Sequence, residues 1–414
     1  MAAEVDPVAK FKYRRATLIS STARIEWKTK RMSKGLSKIV LTGMLVSTLA
    51  VPAPAAEPAA RPIESTHSKS HSKTKSKITS RVHHLVLRFR GVPTYADSFS
   101  SDDPTFDDPI VRKAVVDGLG RYNGSVVAVD PNTGRILTVV NQKIAFGDGY
   151  IPCSTIKPTI AIAALEENVI TRDTMLKVSR RKYMNLTDAL AHSNNVFFEE
   201  LGRRMGFDTV SKYGRLLGLG ELAGYNLPEE HPGSFPTQAP AFGGVARMSS
   251  FGEGIQMTPL QLVALGAAFA NGGTLYYLQY PRTQEDIQAF TPRVKRDLNI
   301  ANVLPEVREG MLAAVLYGTG RLSYDAGGDE TALGKTGTCD DHTNPSRIGW
   351  FVSYAGDSQH PKIALAVLLR GNTRRVMGPT AAQVAGHIYR NLREQNYFGE
   401  PAKIDQVQTL TSGK

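Results

Sequence analysis

Three short clusters hold residue types able to carry out acyl transfer: Ser154-Thr155-Ile156-Lys157, Ser193-Asn194-Asn195 and Lys335-Thr336-Gly337-Thr338. In the first, a hydroxyl precedes an amine by three residues, so on a helix both lie on one face within mutual reach. A lysine whose ammonium form is disfavoured by burial or by a second cation can take the serine proton, freeing the oxygen to attack a carbonyl carbon. Spacing alone does not establish this. S-x-x-K arises roughly once or twice by chance in a chain of this length, and Ser70/Lys73 and Ser72/Lys75 repeat it in a Ser/Lys/His-rich stretch that cannot bury a core. Ser154 differs in context, because it opens a long apolar stretch whose helix N-terminus would favour developing negative charge. An isolated S-x-x-K more often means a capping serine beside a lysine whose stem covers apolar surface.

The second cluster is weak by itself, since Ser and Asn commonly cap helices or form turns. The third is rarer and falls on a predicted strand. Alternation there puts Lys335 and Gly337 on one face and Thr336 and Thr338 on the other, with Gly337 leaving room for a substrate backbone.

The elements that must position these clusters are legible in outline. A helix is predicted over 107–119, and strands over 124–130 and 135–141 are separated by Pro131-Asn132-Thr133-Gly134, a hairpin signal. Strands are also predicted over 332–338, 349–356 and 362–370, followed by a helix over 379–394. Between them, 155–168, 186–192, 195–205, 258–271 and 305–317 read as helices. Strands at both ends with helices inserted predict one antiparallel sheet closed by distant segments, plus a helical lobe.

Charge is distributed unevenly. The net charge of +12 comes almost wholly from residues 1–81, with 16 Lys and Arg against five Asp and Glu, while the rest holds 34 against 33. A nearly neutral body argues against a nucleic-acid groove, which needs cations spread over its face. Within the tail, the 13-residue apolar run Ile39 to Val51 follows Lys34 and Lys38 and precedes Ala53-Pro54-Ala55, the pattern of an export signal. The run is short for a membrane span, so cleavage is the first expectation and retention as an inner-membrane anchor the second. A start at Met32 would give the usual short leader. His67, His71, His83 and His84 lie in the following linker and read as solvated spacer rather than a metal site. The basic tail could also hold the protein near anionic envelope polymers or the membrane.

Taken together and in this order, the three clusters resemble those of the penicillin-binding protein and serine β-lactamase superfamily. Ala189 to Phe198, Ala223 to Pro236, Phe251 to Leu262 and Gly349 to Tyr354 extend the resemblance to the transpeptidase domain of high-molecular-mass penicillin-binding proteins, over about residues 122–396. The implied fold is α+β and β-lactamase/transpeptidase-like: an antiparallel five-stranded sheet flanked by helices, with a helical lobe. The implied layout is a basic n-region and signal or anchor (1–56), linker (57–84), lead-in (85–121), transpeptidase domain (122–396) and C-terminal tail (397–414).

The resemblance implies that Ser154 attacks a D-alanyl-D-alanine peptide of peptidoglycan, or a β-lactam, while Lys157 takes its proton. Ser193, helped by Lys335, would relay a proton to the leaving amine. Asn195 would bind the substrate amide; Thr336 and Thr338, flanking Gly337, would hold its carboxylate. The Ser154 and Thr338 backbone N–H groups would form the oxyanion hole. Neither metal nor organic cofactor is implied. The expected activity is DD-transpeptidase or DD-carboxypeptidase in the periplasm or cell envelope, with stem peptides and β-lactams as partners and no nucleic acid.

Cys153 and Cys339 flank the first and third clusters and are the only cysteines. If the helix start faces the strand across the site in an oxidising compartment, they are expected to form a disulfide. Cysteines at these offsets also occur in class A carbapenemases, which keeps a β-lactamase open as an alternative; Glu229 and Glu230 are then candidates for the water-activating carboxylate. A non-catalytic β-lactam or peptidoglycan sensor is the third reading. Two departures from the family pattern stand out. Only about 65 residues separate the signal from the first strand, too few for the usual large N-terminal domain, and the 39-residue interval from Ser154 to Ser193 predicts a trimmed helical lobe.

Overall fold

An unbroken apolar run such as Gly-Ser-Val-Val-Ala-Val suits a strand covered on both faces. In the computed structural model, which describes residues 91–324, 332–341, 345–356 and 361–399, residues 124–129 form such a strand, buried along its whole length. The predicted export segment, the histidine-bearing linker and the chain beyond residue 399 lie outside the described residues.

The chain runs through α1 (Pro109–Leu119), β1 (Gly124–Val129), β2 (Ile136–Val140) and α2 (Gln142–Phe146). A 3-10 turn (Cys153–Ile156) leads into α3 (Lys157–Glu166), followed by the hairpin β3 (Leu176–Ser179) and β4 (Lys182–Met184). Next come α4 (Leu186–Ala191), α5 (Asn195–Leu216), α6 (Gly244–Phe251) and α7 (Pro259–Asn271). A second pair of strands, β5 (Thr274–Tyr276) and β6 (Val294–Asp297), is separated by α8 (Gln284–Gln288) and precedes α9 (Leu304–Leu316). After a second 3-10 turn (Arg321–Ser323), the chain returns through β7 (Leu333–Asp341), β8 (Ser346–Gly356) and β9 (Pro361–Gly371) and closes with α10 (Gly378–Glu394).

The main sheet has the order β2-β1-β9-β8-β7 and is antiparallel throughout. Strands from the two ends of the chain therefore pair directly, Val127 opposite Ala366, as the sequence predicted. Alternation divides β1 between two cores. Val127 and Val129 pack with α3 and α7; Val126 and Ala128 pack with α1 and α10. Helix α7, apolar on every side, is buried from Pro259 to Ala270. It starts at a reciprocal Thr258/Gln261 cap and stops at Gly272 in the left-handed region (φ 99°).

Two sequence expectations shift. The helix predicted over 155–168 begins at Lys157, leaving Ser154 and Thr155 in the 3-10 turn. The helix predicted to end at Met205 continues to Leu216 across a kink at Gly206, whose φ of 75° breaks helical geometry without ending the element.

Candidate active site

Helix α3, the loop between α4 and α5, and strand β7 deliver the three clusters to one place. Strand β7 lies at the sheet edge, paired with β8, and its Gly337 abuts the 3-10 turn. A Cβ at Gly337 would lie 3.0 Å from Pro152 O and 3.1 Å from Thr155 Cγ2. The protein itself fills the space predicted for a substrate backbone. Gly337 is thus required for close approach of β7 to the 3-10 turn that carries Ser154. That turn is fixed further by Thr155 Oγ1, which donates to Pro152 O at 2.6 Å, and by Trp350 Nε1, which donates to Ile151 O at 3.0 Å.

Cys153 and Cys339 are joined by a disulfide with a Cα–Cα distance of 5.7 Å, as predicted. It ties the turn to β7 immediately beside Ser154 and Thr338. Cys153 has φ +52° and Ser193 φ +54°. Such left-handed backbone in non-glycine residues costs about 1–3 kcal/mol each, and persists only where surrounding contacts enforce it.

Lys157 is fully buried, its Nζ 2.9 Å from Ser154 Oγ and 3.0 Å from Ser193 Oγ. The same nitrogen donates to Ser193 O at 2.8 Å and Asn195 Oδ1 at 2.7 Å. Its pKa lies well below the usual lysine range, first through desolvation and then through the nearby Lys335 cation; Glu199 opposes this. A neutral amine has two N–H groups and one lone pair. The backbone carbonyl and the amide oxygen are acceptors only, so they take the two N–H groups and leave the lone pair for a hydroxyl proton.

Lys335 is also fully buried and donates to Ser193 Oγ at 2.8 Å and Thr336 O at 2.9 Å. Burial lowers its pKa to about 7. Ser193 therefore stands between two lysines of depressed proton affinity, an arrangement able to pass a proton in either direction. Asn194 caps α5 by accepting from Phe197 N at 3.0 Å, which sets the following Asn195 against Lys157.

Thr336 and Thr338 occupy the other face of β7, as alternation predicted. Thr338 Oγ1 accepts from Gly378 N at 2.7 Å, leaving its own proton free to be donated. Thr336 Oγ1 lies 2.6 Å from Thr319 Oγ1, a residue the sequence reading missed. The Thr319 backbone N–H donates to Ala191 O at 3.0 Å, so this residue spans the gap between the Ser193 loop and β7. Its only sequence signal is Gly318-Thr319-Gly320, which by itself reads as a turn.

The carboxylates considered for water activation are engaged elsewhere. Glu230 is buried, its two oxygens accepting from Ala223 N at 2.8 Å and Gly224 N at 2.7 Å. Glu229 pairs with Arg282.

Residues 124–392 match the penicillin binding protein transpeptidase domain family. Among curated proteins, the chain is 28% identical over 314 residues to stage V sporulation protein D of Bacillus subtilis, covering 64% of this chain and 48% of that protein. It is 26% identical over 344 residues to the peptidoglycan D,D-transpeptidase MrdA of Acinetobacter baumannii, covering 66% and 51%. The chain thus spans about half the length of these two relatives. With the peptidoglycan D,D-transpeptidase PbpA of Mycobacterium tuberculosis the match is 26% over 381 residues, covering 74% and 76%. In fold it resembles the ceftriaxone acyl-enzyme complex of penicillin-binding protein A from M. tuberculosis, with a TM-score of 0.61 at 22% identity over 69% of this chain and 78% of that one. The family match takes in β1 through most of α10, hence the whole sheet and all three clusters, and the chain belongs to the penicillin-binding protein transpeptidase domain family.

Proposed function

We propose that the protein is a serine DD-transpeptidase or DD-carboxypeptidase that acts on D-alanyl-D-alanine peptides of peptidoglycan through an acyl-enzyme on Ser154, and that penicillin acylates the same oxygen. The observation that carries this reading is the Lys157 amine, whose two N–H groups have acceptor-only partners and whose lone pair is left for the Ser154 hydroxyl. Ser154 Oγ forms a bond to the carbonyl carbon as its proton passes to Lys157 Nζ, and the Ser154 and Thr338 backbone N–H groups hold the resulting oxyanion. Proton delivery through Ser193, supported by Lys335, lets the C–N bond break and the amine leave, with the ester remaining on Ser154. Water or an acceptor amine then attacks that ester. Asn195, its oxygen taken by Lys157, turns its NH₂ group to the substrate amide, while the Thr336 and Thr338 hydroxyls bind the terminal carboxylate. Export through the apolar run at 39–51 would bring the enzyme to its substrate outside the cytoplasm.

A class A β-lactamase needs in addition a glutamate to activate water on the ester. The commitments of Glu229 and Glu230 favour slow turnover instead. Intact-mass spectrometry with penicillin over time tests these readings. The expected result is a long-lived adduct that is absent from Ser154→Ala. Rapid turnover would replace this reading with a β-lactamase, and no adduct under any condition would defeat both.

A further inference from the structure

Lys177, Arg180, Arg181 and Lys182 fall within six residues of the β3–β4 hairpin and are all exposed, Lys177 on its outer face, the two arginines at its tip and Lys182 on the side of Met184. None of their side chains has an ion-pair or hydrogen-bond partner among the described residues. Their number is not a share of a general excess, since from residue 82 onward 34 Lys and Arg face 33 Asp and Glu. Nor does the hairpin need them to fold. Ser179 pairs with Lys182, so Arg180-Arg181 forms the turn. Two-residue turns favour Asn-Gly, Asp-Gly or another glycine-containing pair, and adjacent like charges repel. The hairpin is held instead by Leu176, Val178 and Met184, which are buried. Its outer face also presents Met175 and Tyr183, 55% and 54% exposed, with Tyr183 directly opposite Lys177. Glu309, the acidic partner of Arg172 just before the hairpin, is taken by that arginine.

We propose that the tip and outer face of this hairpin dock on an anionic lipid bilayer, Lys177, Arg180 and Arg181 meeting headgroup phosphates while Tyr183 and Met175 enter the headgroup–acyl boundary. Charge complementarity supplies most of the attraction, at about a fivefold gain in partition per basic residue near an anionic surface. The exposed apolar pair decides between lipid and a ring-free soluble polyanion such as polyphosphate, which would use the cations and offer nothing to Tyr183 or Met175, whereas the bilayer interface favours both.

The test is vesicle sedimentation of the full chain, with phosphatidylcholine alone and with added phosphatidylglycerol. Because the apolar run at 39–51 could itself insert, every variant is compared with the parent chain on the same vesicles. Arg180→Ser/Arg181→Ser should lose about 25-fold in partition on the anionic vesicles, change little on neutral ones, and converge with the parent at high salt. Tyr183→Ser should lower vesicle binding severalfold while leaving binding to soluble polyphosphate unchanged. These side chains are exposed, and an unchanged melting temperature verifies that the variants fold. Parent-like partition of the double-arginine variant would remove the hairpin as a docking surface. If Tyr183→Ser binds vesicles like the parent while the arginine pair governs polyphosphate binding, the surface is a polyanion site and the lipid assignment falls.

Discussion

Lys335→Met should make the protein more stable near neutral pH while abolishing its acylation by penicillin. Lys335 is fully buried, and its pKa falls from the ordinary 10.5 to about 7 because burial penalises the cation. The unfolded chain therefore binds more protons than the folded one between about pH 7 and 10.5, so stability rises with pH across that window and the penalty is complete below it. At about 1.4 kcal/mol for each tenfold change in proton affinity, the cost is about 5 kcal/mol below pH 6, about 4 at pH 7 and small by pH 10.5. Methionine matches the length of the stem but gives up the hydrogen bonds to Ser193 Oγ and Thr336 O, worth roughly 1–1.5 kcal/mol each. The variant should accordingly gain about 2 kcal/mol at pH 7, on the order of 4–8 °C in melting temperature. Between about pH 8 and 9 the advantage should vanish, and above that the parent should be the more stable. Thermal unfolding of both proteins from pH 6 to pH 10 reads this directly. A variant less stable than the parent at pH 6–7, or a difference that does not change with pH, would refute the claim that burial of this amine is held against its preference for charge.

Two further perturbations address the supports of the site. Serine in place of both Cys153 and Cys339 opens a link between residues 186 apart in sequence, for which chain entropy sets an upper figure of about 5 kcal/mol. A loss of about 2–5 kcal/mol in urea unfolding is expected, and an unchanged midpoint and slope would exclude the cross-link as a stabilising element. Thr319→Val removes the hydroxyl 2.6 Å from Thr336 Oγ1, and should slow penicillin acylation about tenfold. Thr319→Ser should restore the rate. If serine fails to do so while melting temperatures match, Thr319 acts through packing rather than by orienting the Thr336 hydroxyl.

The legible parts of the molecule are those specified by local pattern. The apolar runs of β1, β8 and β9 announced a sheet closed by both chain ends, and α7 announced itself by its length and apolar composition. The β3–β4 hairpin went unread because its Arg180-Arg181 turn carries no glycine or asparagine. Thr319 went unread because its meaning lies in tertiary contacts to Ala191 and Thr336. Gly337 was noticed, but for a different reason: only the fold shows that Pro152 O and Thr155 occupy the space beside it.

The candidate site departs from local preference at several of its key positions, which is why it was proposed from the order and combination of motifs rather than from propensity. Cys153 and Ser193 adopt left-handed backbone, and Lys157 and Lys335 are buried amines of depressed proton affinity. At about 1–3 kcal/mol for each backbone outlier and about 4 kcal/mol for Lys335 at neutral pH, these costs are comparable with the whole net stability of an ordinary domain, about 5–15 kcal/mol. They are concentrated on the Ser154 turn, the Ser193 loop and β7. The disulfide joins the first of these directly to the third, and the Thr319 bridge joins the second to the third. The two connections therefore act where the site is most disfavoured, and removing either should loosen the geometry of the candidate site before it disturbs the remainder of the sheet.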